Sequence, residues 1–266
     1  LKGFSIIVCC YNSAALLPDT FSHLAALSDA AAYGMELILV DNCCTDDTAA
    51  VARKLWEGFG QPYPLKIVTE SRPGLSFARE CGIATARYDY FLFCDDDNWL
   101  SPEYVSRAVQ ILESVPGIGM LGGLGIPSYA SIPPYWPRNF YIYGSGPQAP
   151  ENGLTDKLHG AGVILLRKAF DRLARAEFRF CLTDRKGDQL SSGGDYELCY
   201  AVRMAGYHIW YDDTLRFSHF ISADRLTPDY TRRFIRESAP AVDVLDIYSH
   251  VTRQAGTERA FSSHRC

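Results

Sequence analysis

The 266-residue chain has no pair of cysteines at C-x-x-C spacing, so the usual framework of a zinc site is missing. Its nine cysteines sit mostly in apolar strand-like runs (Cys9, Cys10, Cys94) or helical patterns (Cys81, Cys199), which reads as reduced, buried thiols in a cytoplasmic protein. There is no basic excess. The 26 Lys and Arg stand against 31 Asp and Glu, a net charge of −5, and no nucleic acid partner is expected. No apolar run reaches the length of a membrane span, and no signal-peptide pattern opens the chain. The sequence begins Leu1-Lys2-Gly3 without an initiator Met, so the N-terminus is read as trimmed or engineered. The fingerprint G-x-G-x-x-G is absent after the first strand, which disfavours a Rossmann dehydrogenase. The absence of G-x-x-x-x-G-K-[ST] likewise disfavours a P-loop protein. Internal repeats and low-complexity segments are absent too.

What the chain does have is a hydrophobic content of 47%, ample for a sizeable core in one large domain or two small ones. Its most informative segment is the apolar run Tyr88-Asp89-Tyr90-Phe91-Leu92-Phe93-Cys94, followed at once by Asp95-Asp96-Asp97. Such a run reads as a buried strand, and in an open α/β sheet the carboxyl edge of the strands is where ligands bind. Adjacent carboxylates repel one another, and a hard divalent cation relieves the repulsion. Mg²⁺ or Mn²⁺ suits such oxygen ligands, with substrate phosphates completing the shell. A solvated acidic turn is the alternative, opposed by the apolarity of the preceding strand.

The first half alternates strand and helix. Strands are expected at Phe4 to Cys9, Glu36 to Val40, Leu65 to Val68 and Tyr90 to Cys94. Helices are expected from the 3.6-residue spacing of Leu17, Phe21, Leu24 and Leu27, from Thr45-Asp46-Asp47-Thr48 onward, over Ser76 to Ala86, and from Ser101-Pro102-Glu103 to about Val115. Ser101 is the expected cap of the last of these, with Pro102 at its first position. This order predicts a parallel sheet with right-handed crossovers. The second half is less regular. Residues 126–157 read as a long loop rich in proline and aromatics, including Tyr129, Tyr135, Trp136, Phe140, Tyr141 and Tyr143, suited either to a sugar acceptor or to packing of a lid. A strand is expected at Gly162 to Leu166, a helix from Asp195 to Ala205, a strand at Tyr207 to Tyr211 and a helical tail from Leu226. In that tail Arg232, Arg233 and Arg236 read as a solvated face, with peripheral membrane contact as the second reading.

Several segments, taken in order, resemble the motifs of family 2 glycosyltransferases with the GT-A fold. They are Val8-Cys9-Cys10-Tyr11-Asn12, Val40-Asp41-Asn42-Cys43-Cys44-Thr45-Asp46, Arg72-Pro73-Gly74-Leu75-Ser76-Phe77-Ala78-Arg79 and Phe93-Cys94-Asp95-Asp96-Asp97. The match continues through Gly160-Ala161-Gly162 with Arg167-Lys168, then Gly194-Asp195-Tyr196-Glu197-Leu198 and Ala205-Gly206-Tyr207. His219 with Arg225-Leu226-Thr227 resembles the downstream histidine segment of bacterial members. The resemblance spans roughly residues 4 to 235.

It implies an α/β GT-A fold: a Rossmann-like, mostly parallel sheet flanked by helices, with a mixed acceptor-side half and a helical C-terminal tail. The implied divisions are 1–125 for the nucleotide-sugar donor, 126–225 for acceptor and catalytic base, and 226–266 for the tail. The implied activity is inverting, metal-dependent transfer of a sugar from a nucleotide diphosphate donor, UDP-sugar favoured, to a glycan or lipid-linked hydroxyl. The implied place is the cytoplasm, at the inner face of the cell membrane where the acceptor is lipid-linked. Tyr11 and Asp41 match positions that hold base and ribose, with Asn12, Arg79, Asp95 and Asp96 also on the donor side. Asp95 and Asp97 match the D-x-D pair that holds Mn²⁺ or Mg²⁺, with His219 a further candidate ligand. Asp195 matches the catalytic base.

Each assignment has a plainer reading. Asp195 also stands where a helix cap would, His219 could be a structural histidine, and Arg79 could pair on the surface with Glu70 or Glu80. His159 is a candidate for the acceptor wall, and Glu197 reads as structural. The chain departs from the family pattern in having Cys9-Cys10 before Tyr11-Asn12, and in having Gly194 where many relatives place a second acid beside the base. Two other functions compete with this one. A sugar-phosphate nucleotidyltransferase would need a Gly-rich, basic loop after the first strand. A non-catalytic carbohydrate- or nucleotide-binding protein would have no use for Asp95, Asp97 and Asp195 together.

Overall fold

A computed structural model describes residues 2–28, 32–131, 140–187 and 189–262, with the side chains of the last segment described as far as Arg253. Strand and helix alternate through the first half: β1 (Phe4–Cys10), α1 (Leu17–Ala25), β2 (Met35–Asp41), α2 (Thr48–Gly58), β3 (Leu65–Thr69), α3 (Leu75–Thr85) and β4 (Tyr90–Phe93). Then come β5 (Asn98–Leu100), α4 (Tyr104–Ser114), β6 (Ile118–Tyr129), β7 (Gly153–Leu154), β8 (Ile164–Leu166), α5 (Arg167–Arg175), α6 (Gly194–Met204) and β9 (His208–Ile221). Two helices, α7 (Pro228–Ser238) and α8 (Pro240–Ser262), close the described chain.

The strands form one sheet in the order β3-β2-β1-β4-β8-β6-β9-β5, with β7 beside β9. The first four are mutually parallel. The other half is mixed: β8 runs antiparallel to β4 and β6, while β6 and β9 are parallel. Alternate residues of each buried strand face opposite helical layers, as the two-residue period of a strand demands. Ile6 and Val8 meet Leu17, Phe21, Trp56 and Tyr104 from α1, α2 and α4. Ile7, Ile38 and Val40 meet Ala78, Ala169, Cys199 and Val202 from α3, α5 and α6. Helix α3 lies so close to the sheet that a Cβ at Gly82 would sit 2.4 Å from Ile7 Cγ2.

Four boundaries differ from the sequence expectation. Helix α4 starts at Tyr104, with Glu103 in the cap position and no side-chain cap. Residues Ser101 and Pro102 form a turn instead, because the Pro102 carbonyl accepts hydrogen bonds from both the amide and the hydroxyl of Ser28. The strand expected from Gly162 begins at Ile164; Gly162 has φ +68°, a turn conformation, and its carbonyl accepts the buried Tyr104 hydroxyl. The expected loop from residue 126 is still strand as far as Tyr129, since β6 continues along β9. Pro127 is tolerated there because this end of β6 has lost β8 as a neighbour. The strand expected at Tyr207–Tyr211 continues to Ile221. Tyr135, Trp136, Pro133, Pro134 and Pro137 of the aromatic segment lie outside the described residues.

The tail is helical as expected. Thr227 caps α7, its Oγ1 accepting from the Tyr230 amide, and Pro228 stands at the first position. Arg232 pairs with Asp229, while Arg233 at 2.9 Å and Arg236 at 3.6 Å share Glu237. Ile235, Val242, Ile247 and Val251 are exposed on the two helices. Among the described residues no helix is long and apolar enough to cross a membrane. Glu197 is structural, as read from the sequence. Fully buried in α6, it accepts from the amides of Cys181 and Leu182 and from the hydroxyl of Tyr248 in α8, at 2.7, 2.8 and 2.7 Å. Glu197→Ala leaves those donors without an acceptor and is expected to lower stability by roughly 2–4 kcal/mol, measurable by urea denaturation.

Candidate active site

The carboxyl ends of the parallel strands supply the floor of one cleft. The register pairs Cys10 with Asp41, and the Cys94 amide donates to Ile7, so the segments after β1, β2 and β4 emerge at one edge. The turn carrying the aspartate triplet is locked by Asn98. Its amide donates to the Asp95 carbonyl, its Oδ1 accepts from the Asp95 amide, and its Nδ2 donates to Asp97 Oδ1. The three carboxylates then diverge. Asp96 turns toward the β1–α1 segment, where Ser13 Oγ donates to it and Thr20 Oγ1 donates to its carbonyl. Asp97 faces the other half of the sheet. Pairing of β5 with β9 puts Asn98 opposite His219, and the Phe220 amide donates to the Asp97 carbonyl. As a result His219 Nε2 lies 3.3 Å and Arg225 Nη1 2.9 Å from Asp97 Oδ2.

The electrostatics follow from burial and these partners. Burial, then the charge of Asp97, raises the Asp95 carboxyl above its ordinary range. The same two causes push Asp96 up to about 7. Asp97 is buried as well, which works against its charge, but His219 and Arg225 outweigh that and hold it below the usual range.

A second carboxylate centre of the same cleft is carried by α6. Gly193, with φ +119°, turns the chain into α6, and Asp195 sits in the first turn. Its side chain does not cap the helix. Asp195 Oδ1 accepts from Arg79 Nη1, and Oδ2 accepts from the Gly160 amide at 2.8 Å. Arg79 is therefore not paired with Glu70 or Glu80 on the surface; Glu70 binds Arg72 instead. Arg79 reaches inward from α3 and also donates to Asp184 Oδ2 at 3.1 Å. Burial opposes the charge of Arg79, but Asp195 and Asp184 more than restore it. Asp184, whose Oδ1 accepts from the Gly194 amide, is raised to about 6 by burial and by Asp195.

Asp95, Asp96, Asp97, Tyr11, Arg79, His219 and Asp195 line one cavity of about 1080 Å³. Tyr11 is half exposed at its mouth. His159 lines it too, its ring held below its ordinary range, to about 4, by burial. Two further residues of the donor-side set stand beside the cavity. Asn12, at φ +57°, uses its Oδ1 to accept from the Thr45 amide and hydroxyl. Asp41 Oδ1 accepts from the Cys44 amide, and the neighbouring Asn42 and Cys43 form the wall. Sequence reasoning missed Asp184, Arg185, Tyr230 and Arg233 as wall residues. A charged Asp184-Arg185 pair a few residues before a double glycine was the one local sign.

Among the described residues, no group of three or more His, Cys, Asp or Glu side chains is placed to hold a metal ion by itself. The arrangement fits a hard cation completed from outside. Mg²⁺ and Mn²⁺ sites commonly take one or two carboxylates and fill the shell with phosphate oxygens and water. The partly buried, mutually repelling carboxylates of the triplet are donors of that type, and they line the cavity.

The mostly parallel sheet with its helical layers, and a mixed half that completes one cleft at the carboxyl edge, define the GT-A fold. The chain belongs to the family described as "Glycosyl transferase family 2", whose profile matches residues 5–174. It is 28% identical over 201 residues to the succinoglycan biosynthesis protein ExoM of Rhizobium meliloti, covering 75% of this chain and 60% of that protein. Among solved structures, it is similar to the mannosyltransferase PcManGT from Pyrobaculum calidifontis in complex with GDP-Man and Mn²⁺. The TM-score is 0.60 at 20% identity, covering 82% of this chain and 56% of that one. It is also similar to S. aureus TarS 1-349 in complex with UDP-GlcNAc, with a TM-score of 0.58 at 16% identity, covering 83% and 58%. The chain thus spans 60% of the curated relative and 56–58% of the two solved chains.

The Asp184 environment predicts a pH dependence of stability. In the folded protein its carboxyl holds a proton up to about pH 6, whereas an unfolded aspartate releases it near about 4. The native state binds more protons between these values, so stability falls as pH rises through that window, by up to roughly 2–3 kcal/mol. Denaturant titrations at several pH values should show this slope in the wild type, on top of the slope that the raised Asp96 contributes, and Asp184→Asn should remove the Asp184 share alone.

Proposed function

We propose that the protein is an inverting, metal-dependent glycosyltransferase. It moves a sugar from a nucleotide diphosphate donor, UDP-sugar favoured, to a hydroxyl of a glycan or lipid-linked acceptor. The observation that carries this reading is the sharing of one cleft by a carboxylate triplet and a separate carboxylate, Asp195, that belongs to a different element. The known binding of UDP-GlcNAc by TarS and of GDP-Man with Mn²⁺ by PcManGT, proteins of the same fold, supports a sugar-nucleotide donor.

On this reading Tyr11, at the mouth, lies against the nucleotide, and the segment around Asp41 borders it. Asp95 and Asp97 hold Mn²⁺ or Mg²⁺, with His219 at the same corner. When bound, the cation supplies Lewis-acid stabilisation of the charge that develops on the leaving diphosphate. Asp195 accepts the proton of the acceptor hydroxyl as its oxygen bonds to the anomeric carbon. The bond from that carbon to the phosphate oxygen breaks on the opposite side, through an oxocarbenium-like state, and the nucleoside diphosphate leaves. Arg225 and His219 keep Asp97 ionised for its role. The exposed Ile235, Val242 and Ile247 of the tail support peripheral contact with a membrane that carries the acceptor.

Asp195→Asn keeps the size of the side chain and removes the base. Transfer, followed by release of nucleoside diphosphate, should fall by about 10²–10⁴-fold with donor affinity nearly unchanged. Turnover at a near wild-type rate would refute the assignment. In Asp97→Ala, UDP affinity in the presence of Mn²⁺ should drop by about tenfold or more in calorimetry, since even outer-shell partners of a metal are worth about 10–100-fold. Equal affinity in both proteins would remove the metal role.

A further inference from the structure

Around Asp195 the cleft wall holds an arrangement of which the transfer chemistry above uses only the base itself. Arg79 Nη1 donates to two carboxylates at once, Asp195 Oδ1 and Asp184 Oδ2. The three groups come from different places: α3, the segment before α6, and α6 itself. Asp184 is 7% exposed, and the Arg79 side chain 13%. A buried guanidinium facing a single carboxylate would neutralise it and hold it as a closed pair. Facing two, it leaves the group with one net negative charge.

The backbone around this triad is shaped to admit it. A Cβ on Gly160 would lie 2.3 Å from Asp195 Oδ1 and 2.4 Å from Arg79 Nη2. A Cβ on Gly194 would lie 2.6 Å from Asp184 Oδ2. No residue with a side chain fits at either position while the triad keeps its geometry. Gly194 is also the position where the sequence departs from a two-acid pattern beside the base. The space left by the missing side chain is filled by the carboxylate of Asp184, reached from ten residues earlier in the chain and held by the Gly194 amide at 2.9 Å.

We propose that Asp184 is a positioning residue for Asp195: by taking a share of Arg79 it keeps the base from closing into a neutral ion pair, and its negative charge increases the pull of Asp195 on the acceptor proton. The proposal rests on the assignment of Asp195 as the base. Other charged and titratable groups face the pair. Arg185 adjoins Asp184, His159 precedes β8, Asp95 follows β4, and Cys199 lies on α6 one turn beyond Asp195. Among the described residues, Arg79 alone bonds to both carboxylates. Asp184 stays protonated up to about pH 6, and that is the pH below which its charge is withdrawn from the base.

Two measurements test this. The first does not require turnover. In protein labelled with ¹³C at the aspartate carboxyls, Asp184 should titrate near pH 6, and Asp195→Asn should lower that midpoint by about one unit, because Arg79 then serves Asp184 alone. An unchanged Asp184 midpoint would overturn the shared clamp. The second is kinetic. Asp184→Asn keeps an oxygen for the Gly194 amide and should retain a wild-type melting temperature at pH 7 within a few degrees. Its kcat should fall by about 10–100-fold, with donor KM within about threefold, and the acidic limb of its kcat profile should move to lower pH. A kcat within twofold of wild type, or an equal loss at every pH, would overturn the positioning role. If the wild type turns over no sugar nucleotide, the functional reading fails, while the titration arm still decides whether the two carboxylates share Arg79. If Asp184→Asn does not fold, the wild-type and Asp195→Asn titrations decide alone.

Discussion

Three adjacent carboxylates at the end of a buried strand are the constraint around which the second half of the sheet is arranged. Left alone, they would repel one another at close quarters. The chain separates them instead. Ser13 and Thr20 hold Asp96 toward the first loop, and Asn98 locks the turn. Asp97 is met by His219 and Arg225, which arrive on and after the last strand, more than 120 residues later. That compensation depends on β5 pairing with β9 in a register that puts Asn98 opposite His219. A shift of one residue would turn His219 to the other face and leave Asp97 without it. The geometry of the sheet and the charge of the cleft are therefore one problem with one solution.

Much of this was legible in the sequence, and the reasons differ from element to element. The parallel half was readable because each strand is a short, nearly continuous apolar run and each helix repeats at 3.6 residues. The family resemblance was readable for a related reason: its motifs sit on the loops that leave the carboxyl edge of those strands. The long strands β6 and β9 were not. Gly122-Gly123 interrupts one and Asp212-Asp213-Thr214 the other, and both breaks look like loops until the pairing of the two strands is known. Tertiary pairing overrode local propensity there.

The charged partners followed the same division. Asp95, Asp97 and Asp195 announced themselves through position at a strand or helix end. Asp184 sits in a segment with no periodicity, and it comes to Arg79 because that segment is tied to the start of α3: the Asp184 amide donates to Ser76 Oγ and the Leu75 amide to the Arg185 carbonyl. The arrangement of Arg79 could not be read locally either. Its nearest acidic neighbours in sequence, Glu70 and Glu80, suggested a surface pair, whereas the guanidinium points inward across the helix to residues more than 100 positions away.

The contact between Tyr248 and Glu197 has a mechanical meaning. Glu197 holds the amides of Cys181 and Leu182, which lie just ahead of Asp184, and Tyr248 reaches the same carboxylate from the last helix. Helix α8 is therefore a strut for the cleft wall, although it supplies no group to the chemistry. The same helix meets the wall segment again at its other end, where Ala241 and Leu245 stand beside Gly193, so the stretch that carries Asp184 is held to α8 on both sides.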